Sequence, residues 1–119
     1  MIMRVLTEEM AMRHRKLEER SLALHREIAR RIRQNPDLLT GVRDRLIKDI
    51  RSGRFSISLT NAMQEWLDLL NTSLLEQILE LLVDQGENAR RLRQSTPFAG
   101  ILTQEERRRF VEKHESAGV

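Results

Sequence analysis

Two stretches of the chain place an arginine and a histidine with four residues between them: Arg20-Ser-Leu-Ala-Leu-His25 and Arg109-Phe-Val-Glu-Lys-His114. Such a pair could cleave a ribose phosphodiester. The imidazole would move a proton at the 2'-hydroxyl, and the guanidinium would stabilise charge on the phosphorane. Arginine is so abundant in this chain, however, that the spacing also arises by chance. The reading preferred here is structural, with His25 flanking a packed stripe and His114 at the end of a helix, and no catalytic residue is assigned. Metal chemistry has less support. His14 and His25 stand about three helical turns apart, too far to share one ion, and the chain has neither an HExxH pattern nor paired ExxH motifs. With no cysteine, disulfides and thiolate zinc sites are excluded. The glycines are scattered and form no phosphate loop, so no cofactor and no small-molecule substrate is expected.

Charge suggests a different kind of function. The net charge is only +3, yet the sequence pI is about 10.1 and the charges are segregated. The first predicted helix carries Arg13, Arg15, Lys16, Arg20, Arg26, Arg30, Arg31 and Arg33, and no Lys or Arg occurs from Phe55 to Ala89. Arg90, Arg91 and Arg93 then restore the basic character, as do Arg107, Arg108 and Arg109. A basic helical face could track nucleic-acid phosphates in a salt-dependent, sequence-blind way. Glu18, Glu19 and Glu27 interrupt that face and would repel the same backbone. Between the late basic clusters lies Ser-Thr-Pro-Phe-Ala-Gly-Ile-Leu (95–102), the least charged loop of the chain. One reading makes it a plug for the core. The other makes Pro97 and Phe98 an apolar anchor inside an arginine rim, a composition that suits protein interfaces.

The elements that must position these residues are helical. Aromatics are 3% of the chain, and Gly and Pro number 5 and 2, which favours helix throughout. Thr7 followed by Glu8 and Glu9 reads as a helix start, and the helix should run from Glu8 to Gln34, about 40 Å. Its stripe passes through Met10, Leu17, Leu24 and Ile28. Asn35-Pro36 ends it, and a second helix follows from Asp37 to about Arg51, stopped at Ser52-Gly53. Arg54 to Ser58 reads as loop, and a third helix as Leu59 to Leu70. Ser73 with Glu76 reads as a capping box opening a fourth, core helix that continues through Gly86 to about Gln94. Thr103 with Glu106 repeats the box and opens a last helix at Gln104, with 115–119 as a disordered tail. The expected fold is therefore an all-α, single-domain antiparallel bundle of about five helices over residues 1–114, with one long N-terminal helix.

The segment MRHRxLxxRSLALHREIA, together with the closing RLRQSTPFAGILTQEER, resembles a group of small bacterial proteins, mostly proteobacterial. The likeness is strongest over residues 12–30 and 90–107. These proteins resemble partners in two-gene, toxin–antitoxin-like arrangements, which implies an antitoxin or regulatory adaptor role. The Arg-x4-His spacing is also similar to the motif of the HEPN ribonucleases, an all-helical family. That likeness implies the alternative, an RNase using Arg109 with His114 or Arg20 with His25.

The leading expectation is a non-enzymatic interaction module binding a partner protein, as a homo-oligomer or a hetero-complex. Its contact residues would be Arg13, Arg20, Arg31, Arg91, Arg93, Pro97 and Phe98. A nucleic-acid binder using the basic faces is the third reading. MIMRVLTEEM has no apolar stretch of signal-peptide type, and no apolar run is long enough to span a bilayer, so the expected location is the cytoplasm, with no membrane partner.

Overall fold

Helix α1 spans Ile2–Gln34 and is the longest element of the fold. A computed structural model describes the backbone from Ile2 to Ala117 and the side chains from Thr7 to Lys113. The helix starts ahead of the expected Thr7 cap, because nothing between Ile2 and Leu6 is a helix breaker. At about 1.5 Å per residue, its 33 residues account for the 49 Å long axis of the molecule. The radius of gyration, 16.0 Å, exceeds the about 13.5 Å of a rounded domain this size. The excess comes from the first half of α1, where every residue from Thr7 to Leu17 is exposed.

Helix α2 spans Leu38–Ser52 and closes on Gly53, whose φ of 67° is the left-handed conformation that glycine adopts without strain. Helix α3 spans Ile57–Thr72. The Ser56 hydroxyl accepts the Leu59 N–H at 3.1 Å, so the expected Arg54–Ser58 loop is shorter and the helix starts two residues early. Helix α4 covers Leu75–Val83. The Ser73–Glu76 box does not form. Gln77 Oε1 instead accepts the Leu74 N–H at 2.8 Å, and Glu76 turns to Arg33 at 2.9 Å.

The expected long fourth helix is broken in two. Asp84 Oδ1 accepts the Gly86 N–H at 3.0 Å, a side-chain turn that ends α4 and lets α5, Glu87–Arg93, start in a new direction. A short 3-10 turn at Ala99–Ile101 leads to helix α6, Gln104–Ala117. Here the expected capping box is present in full. The Glu106 N–H donates to Thr103 Oγ1 at 3.1 Å, and the Thr103 N–H donates to Glu106 Oε1 at 3.0 Å.

The described residues thus form a single all-α domain of six helices with no strand. Helix α1 packs on α4 and α6, and α2 packs on α3 as a hairpin. The core gathers Ile28 and Ile32 of α1, Trp66 of α3, Ile78 and Leu82 of α4, and Phe98 and Leu102 of the closing loop. Trp66 and Phe98 meet edge to face at 5.1 Å, and the Trp66 indole N–H donates to the Leu92 carbonyl at 3.0 Å. Among the described residues, no helix is long and apolar enough to cross a membrane.

Candidate functional site

Where α1 leaves the body, its inner face and α5 enclose a cleft of about 450 Å³. From α1 come His14, Leu17, Arg20 and Ser21, and from the α5 end come Arg90, Arg93 and Gln94. Helix propensity and stripe spacing place Leu17 on the line that continues inward to Leu24 and Ile28. Because the body ends there, Leu17 stays 46% exposed and Met10, farther along the arm, 68%.

Arg93 holds α5 in place. It is 6% exposed, and its Nη1 donates to the carbonyls of Asp84 at 2.6 Å and Leu81 at 3.2 Å, which α4 leaves open at its C-terminus. Burial lowers its pKa from the usual guanidinium value, and the Asp84 carboxylate offsets part of that. Arg90 reaches Glu18 at 3.7 Å, and His14 Nε2 lies 2.9 Å from the other Glu18 oxygen. Glu18 therefore neutralises part of the cleft. Arg20 has no ion-pair partner among the described residues. The cleft carries Arg20, Arg90 and Arg93 against one carboxylate, with Leu17 as the apolar side chain of its lining.

The structure brings together only some of the residues singled out by sequence. Arg20 and Arg93 line the cleft, and Arg13 is exposed on the arm but is not part of the lining. Arg91 lies just outside, bound to Glu65 at 2.9 Å and to Asn88 at 2.9 Å. Arg31 is committed elsewhere, bridging Glu27 and Glu106 and so tying α1 to α6. Phe98 is 0% exposed and fills the core, so it offers no contact surface, while Pro97 lines a second groove. The loop is thus the plug of the bundle. Sequence reasoning gave no cleft role to Leu17 and Gln94. The one signal available for Leu17 was a stripe longer than a domain of this size can cover.

His25 is part of the plug. It is 1% exposed; its Nδ1 lies 2.7 Å from the Ser21 carbonyl and its Nε2 lies 2.8 Å from Thr96 Oγ1. A carbonyl only accepts, so Nδ1 carries the proton and the Thr96 hydroxyl donates to Nε2. The Thr96 oxygen in turn accepts the Phe98 N–H at 3.3 Å. Burial is the main force lowering the His25 pKa from 6.5 to about 4, with the Ser21 carbonyl opposing it and Arg93 adding to it. Both ring nitrogens are engaged, so acting as a base would require His25 to release Thr96. Arg109 pairs with Glu105 at 3.0 Å, and the side chain of His114 lies outside the described residues. Among the described residues there is no cluster of three or more His, Asp or Glu able to hold a metal ion. No protein-family model matches the chain, nor does any curated protein or solved structure.

Proposed function

We propose that the protein is a non-enzymatic interaction module, an antitoxin-like or regulatory adaptor, whose α1–α5 cleft receives an acidic, amphipathic segment of a partner protein. The observation that carries this reading is the cleft itself, where Arg20 and the Glu18-paired Arg90 stand around an exposed Leu17 and Met10 continues the apolar line along the arm. An apolar anchor that a partner covers, with arginine at its edge, supplies binding energy at the centre of an interface and orientation at its rim. The arm extends past the body, so a partner helix could lie along it with its own apolar face inward. The resemblance to partners in toxin–antitoxin-like pairs points the same way. A nucleic-acid backbone fits less well, because it has no apolar face to set against Leu17 and Met10.

The test is native mass spectrometry of the protein recovered gently from its own host, followed by titration of the captured partner. A stoichiometric second protein is expected, and Leu17→Asp and Arg20→Glu should each weaken it at least tenfold. Both positions lie on the surface side of α1, so the circular dichroism of the variants should match the parent. A partner held equally well by both variants, or RNA in place of protein, would overturn the proposal.

A further inference from the structure

A second groove, also of about 450 Å³, separates the α2–α3 hairpin from the closing loop. The interaction reading leaves it without a role. Its apolar lining includes Leu46 of α2, Met63 of α3, Phe55 of the connector and Pro97. Among the described residues, the charged side chains of the lining are Arg45, Asp49 and Arg107. Two arginines against one aspartate leave a single positive charge, which is balanced by a monoanion and not by a polyphosphate.

The arginines are also short of partners. Arg107 Nε is shut off from solvent and has no acceptor among the described residues. The rest of the Arg107 guanidinium also lacks a protein acceptor among the described residues, and it is these outer nitrogens at the groove that a ligand oxygen can meet. Arg45 Nε lies 4.0 Å from Asp49, beyond hydrogen-bond distance. Its Nη1 lies only 3.2 Å from where a methyl group on Gly100 would stand, so the guanidinium rests on bare backbone at the rim of the groove. A planar guanidinium presents a fork of donors that matches a carboxylate. The volume is that of a pocket for one small molecule.

We infer that this groove binds a small apolar monocarboxylate, of acyl or aryl type, with its tail on Leu46, Met63 and Phe55 and its carboxylate turned to Arg45 and Arg107. The ligand would bridge the α2–α3 hairpin to the closing loop and α6, so binding should stabilise the fold in proportion to occupancy.

Octanoate, with octan-1-ol as the neutral control, tests this by calorimetric titration and thermal unfolding of the full chain. Octanoate should bind saturably, with a dissociation constant below millimolar, and raise the melting temperature. Octanol should bind at least tenfold more weakly. Arg107→Gln and Arg45→Gln should each weaken octanoate severalfold and leave octanol unchanged. Arg45 is exposed, so its variant keeps the test decisive if the Arg107 variant folds poorly. Ala99→Trp, which fills the groove, should abolish binding of both. Equal binding of octanoate and octanol, no binding at millimolar octanoate, or binding that survives Ala99→Trp would each overturn the assignment.

Discussion

Acid should weaken this protein through His25 before the stabilised carboxylates of Glu27 and Glu106 titrate. The imidazole is neutral in the fold, with a pKa lowered from 6.5 to about 4, and exposed in the unfolded chain, where the pKa returns to its ordinary value. Between those two values the unfolded state binds more protons, so stability rises with pH across the window. The contribution is complete above pH 6.5 and is lost as pH falls toward about 4. At about 1.4 kcal/mol for each pH unit, the whole effect is about 3 kcal/mol, and about 2 kcal/mol is gone by pH 5. That is a large part of the about 5–15 kcal/mol that holds a domain together. Urea unfolding at pH 7, 6 and 5, run beside His25→Gln, isolates it. Gln does not titrate, so the stability gap between parent and variant should narrow by about 2 kcal/mol from pH 7 to pH 5. Parallel curves over that range, or a His25 ring signal titrating near 6.5 by NMR, would refute the buried, singly protonated imidazole and with it the hydrogen bond from the Thr96 hydroxyl.

Three further outcomes follow from the same geometry. Phe98→Ala should cost about 3–5 kcal/mol in urea unfolding, since it empties a fully buried site against Trp66; a loss below about 1 kcal/mol would return the loop to the surface. Arg93→Met should cost about 1–3 kcal/mol by leaving the carbonyls of Leu81 and Asp84 without their donor, and amide exchange should show α5 opening ahead of the body. Glu27 and Glu106 have pKa values lowered to about 2 by their arginine partners, so their contribution is present above pH 4.5 and disappears as pH falls toward 2. Glu106→Gln should therefore flatten the acid limb of the stability curve below pH 4.5 and leave the His25 step untouched.

The residues that sequence reasoning placed well are those whose partners lie within one turn. Pro36 and Gly53 punctuate α1 and α2 as expected, and Thr103 and Glu106 cap α6 as expected, because φ constraints and N-cap bonds are local. Where two local solutions compete, the sequence is ambiguous. Ser73 and Glu76 satisfy the capping-box pattern, yet Gln77 closes on Leu74 and frees Glu76 for Arg33, a partner supplied by a different helix. Gly86 costs an unbroken helix only about 1 kcal/mol, so nothing on that scale announces the turn at Asp84.

The same division applies to the cleft and the plug. Composition and periodicity by themselves determined an all-helical chain, a long first helix and a segregated charge pattern, since each is a property of neighbours along the chain. Tertiary structure alone decided which arginines remain available. Arg31 is taken by Glu106, Arg91 by Glu65 and Arg93 by the end of α4, while Arg20 is left facing a cleft. It also decided that Phe98 and His25 belong to the core, through a contact between Thr96 and a residue 71 positions earlier. Helical spacing records which side chains share a face. The choice of which face meets which depends on how α1, α4 and α5 cross, and that is set by packing volume and desolvation summed over the whole domain.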